Sequence, residues 1–296
     1  MNISLKKLYP FDWLIIGYSS LMILLISILG KPFSQYFDEI LFYGSMIIIA
    51  LLISNLIDED KNRFMALIRF LYPVVLFTFF YNATGGTMFL IFDKFLDYQL
   101  VAFEKSLLGI NITLYIDQNL LSVIPNEIFS FCYFCYYFMI PVYLTWLFIR
   151  KDDDILKESI TAICLTFFFS YMLFFLYPIE GPRYHFADLF QNKIEGPIFR
   201  QLVEYIILNG AVRGGCMPST HFAVALVINL FCFKYYRLFA WILLPINIGM
   251  AIGTFWGRFH YVSDVIIGCI IGILGTVFIW KYYSLWVNNK KLNIEL

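Results

Sequence analysis

Eight long apolar runs are the feature that most constrains how this chain can fold. About 20 apolar residues cross the hydrocarbon core of a bilayer as one helix, so each run predicts a transmembrane helix. An irregular or open-sheet crossing would leave backbone groups without hydrogen bonds in lipid. The predicted spans are Trp13 to Leu29, Ile40 to Ile57, Phe64 to Tyr81, Ile128 to Ile149, Ser159 to Tyr177, His221 to Tyr236, Trp241 to Trp256 and Tyr261 to Tyr283.

The composition agrees with a membrane protein and excludes several soluble classes. Only 14% of the 296 residues are charged, against about 25% in soluble domains. The 21 basic and 21 acidic residues cancel, which argues against a nucleic-acid binder. Five of the six cysteines lie in apolar runs and are expected to pack as small hydrophobic residues. We expect an all-α polytopic membrane bundle with about eight spans and a six-helix catalytic core. Residues 1–126 and 127–296 would form its N-terminal and catalytic-core parts within one continuous membrane domain.

The sidedness of the basic residues predicts the orientation. With the N-terminus inside, thirteen of the 21 basic residues fall on the inner face, and positive residues favour the cytoplasm. We therefore expect both termini in the cytoplasm. Frequent Ile, Phe, Asn, Lys and Tyr are typical of an AT-rich genome and suggest a bacterial inner membrane. The outer set is Lys31, Lys94, Lys105, Arg183, Lys193, Arg200, Arg213 and Arg258.

Residues 82–126 are too polar to span a membrane. Apolar residues between Phe92 and Phe103 recur at helical spacing, which is typical of an amphipathic helix on the membrane surface. Taken alone, the segment is an amphipathic connector.

Two of the three histidines stand in patterns that indicate chemistry. His221 follows Pro218 and Ser219 at the start of an apolar helix, and free N–H groups at such a start can bind an anion. His260 and Asp264 are four residues apart and share a helical face. A carboxylate there could accept the Nδ1 proton of His260 and leave Nε2 free to attack.

The count of spans puts Arg183 at the same membrane face as both histidines. Arg213 and Arg258 would lie near them, and guanidinium groups bind phosphate oxygens in pairs. A nucleophile, an orienting carboxylate, a second histidine as acid and cationic clamps together predict phosphoryl transfer at the outer face.

Arg183, the run Pro218-Ser219-Thr220-His221 and the pair His260-x-x-x-Asp264 resemble the three motifs of the type 2 phosphatidic acid phosphatase superfamily. The resemblance covers Ser159 to Trp280. It implies that His260 is a nucleophile forming a phosphohistidine, that Asp264 orients it, and that His221 protonates the leaving group. It implies no metal and no cofactor. The predicted phosphate-binding residues are Arg183, Ser219, Thr220, Arg258 and Arg213.

The chain departs from the family pattern at two cationic positions. Leu176 stands where a Lys usually precedes the first motif, and Thr254 stands where an Arg usually precedes the third. Arg258 and Arg213 are candidate substitutes. Tyr177-Pro178 and Tyr261 are similar to inositol phosphorylceramide synthases and sphingomyelin synthase-like enzymes. The pattern of that branch is matched by Asp97, Leu100, Glu104, Leu107 and Gly109. In those relatives a lipid alcohol accepts the phosphoryl headgroup, so the upstream segment becomes an acceptor-side or gating element.

The leading function is therefore a lipid phosphate phosphatase, and the alternative is a transferase that moves a phosphate-linked headgroup to a lipid alcohol. A transporter would predict matched broken helices in two halves, which the sequence does not display. A vanadate-dependent haloperoxidase fits poorly because the usual cations are missing. The expected partners are a lipid phosphate substrate and membrane lipids, with no nucleic acid; neither the lipid nor the oligomeric state is predicted.

Overall fold

A computed structural model describes residues 4–30 and 32–292 of the chain. Within these ranges all regular secondary structure is helical. Three short 3₁₀ turns occur at Leu5–Lys7, Phe33–Tyr36 and Ala187–Leu189. The helices are α1 (Pro10–Leu29), α2 (Phe37–Leu56), α3 (Arg63–Thr87), α4 (Asp97–Leu108), α5 (Ile112–Asn119), α6 (Val123–Arg150), α7 (Asp153–Leu176), α8 (Pro182–His185), α9 (Phe199–Gly210), α10 (Thr220–Tyr235), α11 (Arg237–Trp256) and α12 (Val262–Leu292).

Among the described residues, seven helices are long and apolar enough to cross a membrane: α1, α2, α3, α6, α7, α11 and α12. The predicted all-helical membrane bundle is confirmed. The sixth predicted span corresponds to α10, which is apolar but has only 16 residues. Lys31, one of the basic residues assigned to the outer face, lies outside the described residues.

The third predicted span, Phe64 to Tyr81, is confirmed as part of α3. Arg69 and Pro73 lie within this span, and α3 continues through both. The Arg69 guanidinium donates to both carboxylate oxygens of Asp12 in α1, at 3.1 and 2.5 Å. The Tyr72 hydroxyl donates to the same carboxylate. Both charged side chains are fully buried, so the charge of Arg69 is neutralised inside the bundle and does not mark a loop.

Helix α7 forms the centre of the bundle. It packs against α1, α3, α6, α10 and α12. Helix α10 lies among α7, α11 and α12. The first turn of α10 and the start of α12 therefore meet at one end of the bundle, and these are the positions of His221 and His260.

Short helices of the connecting segments surround that end. Helix α4 packs against the start of α12 and buries two carboxylates, Asp97 and Glu104, together with Leu100. Its outward face carries Tyr98 and Phe103 instead. The predicted amphipathic segment is thus helical, with its acidic side turned toward the protein.

Candidate active site

The two histidines of the sequence motifs line one small cavity. His221 in the first turn of α10 and His260 just before α12 both border a space of about 60 Å³, together with Arg183. His260 is 5% exposed. His185, the third histidine, is exposed and does not line this cavity among the described residues.

Close packing of α10 on α12 fixes the separation of the histidines. A Cβ added at Gly268 would lie 2.6 Å from the carbonyl oxygen of Ser219, and one at Gly272 would lie 2.8 Å from that of Ala223. Real Cβ atoms essentially never approach an atom so closely. The two backbones touch because these positions are glycine, which agrees with the packing role expected of small residues between membrane helices.

The hydrogen bonds of His260 define its neutral tautomer. Its Nδ1 is 2.7 Å from the carbonyl oxygen of Cys216 and 3.5 Å from Oδ2 of Asp264. A carbonyl can only accept, so Nδ1 carries the proton and Nε2 of the neutral ring keeps its lone pair. The position of the proton is assigned from the hydrogen-bond partners of the ring. The Cys216 carbonyl is thus the closer orienting group, and no motif in the sequence indicated it.

Asp264 holds the loop around His260 together as well as facing its ring. Its Oδ2 accepts from the backbone N–H of Tyr261 at 2.7 Å and from the Cys216 thiol at 3.0 Å. Its backbone carbonyl accepts from the N–H of Ser219 at 2.9 Å. The second and third motifs are therefore joined directly through this one residue.

Cys216, His260 and Asp264 are also the residues that could hold a metal ion. Their ligand atoms lie within 4.8 Å of one another and all three are buried. In the structure each of these atoms takes part in a hydrogen bond of the network. Burial, with a further contribution from Asp264, raises the pKa of the Cys216 thiol, which favours the protonated donor over a thiolate ligand.

Each predicted phosphate-binding arginine is paired with a carboxylate. Arg183 forms a bidentate pair with Glu204, and Arg213 pairs with Glu180. These partners were not predicted, because the residues of each pair are far apart in sequence.

Arg258 pairs with Asp117 at 2.5 Å. It also donates to the carbonyl oxygen of Asn192 at 2.5 Å and stacks over Phe190 at 3.8 Å. Arg258 adopts a positive φ of 67°, a conformation unusual for a residue with a side chain. The neighbouring loop and its ion pair hold it there.

The predicted phosphate-binding residues do not all reach the cavity of the histidines. Of this group, only Arg183 lines it within the described part of the chain. Ser219 is fully buried, and its hydroxyl has no hydrogen-bond partner among the described residues. The Thr220 hydroxyl donates to the carbonyl of Pro218 at 3.3 Å. Arg258 lines a neighbouring cavity, and Arg213 is mostly exposed.

The upstream segment contacts the motif loops through Asp97. This side chain, 2% exposed, accepts from the backbone N–H groups of Glu180 and Gly181 at 2.8 and 2.9 Å. It also accepts from the Tyr261 hydroxyl at 2.9 Å. Burial and Asp97 raise the pKa of Tyr261, so that phenol remains a donor. Asp97 therefore ties the loop before Arg183 to the residue after His260.

Glu104 makes a second contact between α4 and the third motif. One oxygen of its carboxylate accepts from both the backbone N–H and the hydroxyl of Ser263, each at 2.9 Å. Burial raises the pKa of Glu104, although the hydrogen bonds from Ser263 oppose the shift. Helix α4 is fastened to the site at both of its buried carboxylates.

Two larger cavities adjoin the site. One of about 410 Å³ lies among α3, α6, α7 and α9 and is lined mainly by aromatic and aliphatic side chains, with His221 in its wall. Another of about 720 Å³ contains Arg183, Arg200 and Arg258 in its wall. The sequence places Arg200 among the basic residues of the outer face but indicates no role for it. In the structure Arg200 is buried and pairs with Glu204 at 2.6 Å.

Comparison with known proteins agrees with these motifs. The family model of the PAP2 superfamily matches residues 98–278, more than half of the chain, and the protein belongs to this superfamily. A PA-phosphatase related-family protein of Dictyostelium discoideum is 29% identical over 116 residues, covering 38% of this chain. The chain spans about a fifth of the length of that curated relative. No solved structure matches significantly.

Proposed function

We propose that this member of the PAP2 superfamily is an integral membrane lipid phosphate phosphatase that acts through a phosphohistidine on His260. The observation that carries the proposal is the meeting of His260, His221 and Arg183 around one small cavity. That cavity opens beside an apolar space within the bundle, where a lipid chain can stay out of water. Membership of the superfamily suggests a phosphatase-type enzyme.

The first chemical step is an attack by His260 Nε2 on the lipid phosphate. The Nε2 lone pair forms the N–P bond while the bond from phosphorus to the lipid oxygen breaks. The electron pair of that bond goes to the lipid oxygen, which takes a proton from His221. General acid help of this kind contributes about 10²–10⁴-fold. The Nδ1 proton, held on the Cys216 carbonyl at 2.7 Å, keeps Nε2 directed to its target.

In the second step water attacks the phosphohistidine. The water proton passes to His221, which lost its own proton in the first step, and the P–N bond breaks to restore His260. Arg183 is the cation that contacts the phosphate in both steps. It donates to both oxygens of the Glu204 carboxylate, and in this scheme the substrate phosphate takes over part of that pairing. The scheme uses groups of this chain alone and is metal-independent.

A second candidate is a phosphotransferase of the inositol phosphorylceramide synthase type. It is favoured by Asp97 and Glu104, which match the pattern of that branch and contact the loops of the first and third motifs. In that reaction a lipid alcohol replaces water in the second step. Helix α4 would then form one wall of the acceptor side.

The charge distribution supports the location of the reaction. The excess of basic residues on the inner face favours cytoplasmic termini and an active site at the outer face. The composition typical of an AT-rich genome suggests that the membrane is a bacterial inner membrane. The predicted substrate is a lipid phosphate presented at the outer face.

The test uses the full-length protein in detergent with a radiolabelled lipid phosphate. We expect label to appear as free phosphate and, after rapid acid-free quenching, as an acid-labile label on the protein. His260→Ala should abolish both signals, while the exposed His185→Ala serves as the matched control and should keep both. Turnover by His260→Ala at the wild-type rate would refute the nucleophile assignment.

The same assay separates the two candidate reactions when a lipid alcohol is added. Label in free phosphate alone supports the phosphatase. Label found only in a new lipid would overturn it in favour of the transferase. His221→Ala should slow formation of the labelled protein in either case, because both reactions share the first step.

A further inference from the structure

The cavity of about 720 Å³ beside the histidines has an unusual concentration of cations. Its wall contains four cationic side chains and two carboxylates among the described residues. Arg183 and Arg200 share Glu204 as their carboxylate partner, at 3.1 and 2.6 Å. Lys193 is exposed and makes no ion pair with a described residue. The cationic side chains are Arg183, Lys193, Arg200 and Arg258.

Arg200 is the member of this group that most needs an anion. It is only 9% exposed, and burial of a guanidinium is costly unless it is paired. Glu204 must divide its charge between Arg200 and Arg183. Burial, together with Arg183 and Arg258, lowers the pKa of Arg200 to about 10 despite Glu204. Arg183 and Arg200 contact the same carboxylate, and Arg258 lies in the same cavity wall, so the three positive charges are gathered around one space.

The lining residues that the cavities share show how the three cavities are arranged. The small histidine cavity shares His221 and Tyr133 with the apolar cavity, but it shares Arg183 with the cationic one. Within the described residues, the apolar and cationic cavities have no lining residue in common. The reacting phosphate would thus lie between an apolar space and a cationic space.

We propose that the cationic cavity is a subsite for a second phosphate-type anion, carried by the substrate as a headgroup on the side of the reacting phosphate away from the lipid chain. The inference rests on the proposed function for the position of the reacting phosphate. Guanidinium pairs bind phosphate oxygens bidentately. Such an anion takes the place of Glu204 between Arg183 and Arg200 and meets Lys193 and Arg258 in the same wall.

If the cationic side chains had only a structural role, substitution of Lys193 would not affect anion binding. Arg200 also approaches the Gly257 carbonyl at 3.5 Å and lies 5.3 Å from the Phe259 ring, so it helps to fasten α9. Lys193 has no such role, because it is exposed and unpaired among the described residues. Loss of anion binding in a Lys193 variant is therefore not explained by loss of structure.

The first experiment measures anion binding to the purified full chain by calorimetry. Orthophosphate is short enough to occupy only the histidine cavity, whereas tripolyphosphate reaches beyond Arg183. We expect Arg200→Gln to weaken the binding of tripolyphosphate about tenfold. Lys193→Gln should weaken it about threefold. Orthophosphate affinity should stay within about twofold of the wild type. The control is Arg237→Gln, an exposed arginine at the start of α11, which should change neither value. Equal losses in all three variants, or none in Arg200→Gln and Lys193→Gln, would overturn the subsite.

The second experiment identifies the source of the anion. Two lipids with the same chains are compared, one a phosphomonoester and the other a phosphodiester with a phosphorylated headgroup. A headgroup subsite predicts a lower KM for the second lipid, with the advantage lost in Lys193→Gln and Arg200→Gln. If instead free orthophosphate alters turnover of the monoester in the wild type but not in Arg200→Gln, the assignment to a headgroup is overturned.

His260→Ala separates this proposal from the catalytic one. The variant should keep the preference for tripolyphosphate while it loses turnover. If it keeps turnover, the nucleophile assignment fails, and the calorimetry still decides the subsite independently.

Discussion

Asp97 gives the sharpest test of how the site is held together. In Asp97→Asn, only one side-chain oxygen remains to accept the three donors that now share two: Glu180 N–H, Gly181 N–H and the Tyr261 hydroxyl. Gly181 and Tyr261 can stay on the remaining oxygen, whereas the new amide nitrogen would face the N–H of Glu180. The variant therefore loses one hydrogen bond to a charged group and weakens two others.

The magnitude follows from these contacts. A hydrogen bond to a charged group contributes about 1.5–3 kcal/mol and a neutral one about 0.5–1.5 kcal/mol. Asp97→Asn should then cost about 3–5 kcal/mol, because the group is buried. Tyr261→Phe removes a single hydrogen bond, keeps the ring packed edge-on against Phe186, and should cost about half as much.

Thermal unfolding of the purified protein in detergent measures the effect. At about 2 °C per kcal/mol for a chain of this size, Asp97→Asn should unfold about 6–10 °C earlier than the wild type. Its kcat should also fall, since Arg183 and His260 lose their common support. The exposed neighbour Asp93→Asn is the control and should behave as the wild type. The reasoning would be refuted if Asp97→Asn unfolded at the same temperature as the wild type and kept the wild-type kcat.

Three further outcomes are expected. Glu104→Gln keeps an acceptor for Ser263 but cannot ionise. Burial raises the folded-state pKa of Glu104 above its usual 4.5, so the stability of the wild type falls as the pH rises above the usual pKa and the carboxyl ionises. Thermal melts across pH should therefore show the variant matching the wild type near about pH 4 and exceeding its stability at about pH 8. Gly268→Ala should destabilise by about 1–3 kcal/mol and reduce turnover, because the new methyl would meet the Ser219 carbonyl; Gly17→Ala, with open space around it, is the control. Asp264→Asn should lower kcat by much less than the about 10⁴-fold that a wrong tautomer costs, since the Cys216 carbonyl still holds the Nδ1 proton; a full 10⁴-fold loss would show that Asp264 alone sets the tautomer.

The spans were predictable because lipid imposes a length and a composition on every crossing. Hydropathy identified the span of α3 but not the partner of Arg69 within it, because Asp12 neutralises that charge from another helix. An ion pair between α1 and α3 cannot be seen in the hydropathy pattern of either helix. The sixth predicted span, His221 to Tyr236, has the same length as α10 and is displaced from it by one residue.

For the site, the sequence identified the side chains more readily than their partners. His221, His260 and Arg183 stand in recognisable patterns, and the structure brings them to one cavity. The orienting Cys216 carbonyl is a backbone atom, which no residue pattern can indicate. Glu204 and Asp117 become visible only when distant loops fold together. The catalytic roles of His260, His221 and Asp264 stay predictions, as do the roles in phosphate binding of Arg183, Ser219, Thr220, Arg213 and Arg258.

The buried pair of Asp12 and Arg69 has a consequence for biosynthesis. Helix α1 is made and inserted before α3 exists, and at that stage Asp12 has the N–H of Tyr9, 2.6 Å away, as a neighbour but no guanidinium to neutralise it. An unpaired carboxylate near the start of a membrane helix raises the cost of insertion. The hairpin of α1 and α2 is therefore an incomplete insertion unit, and its negative charge is balanced only when the third helix arrives.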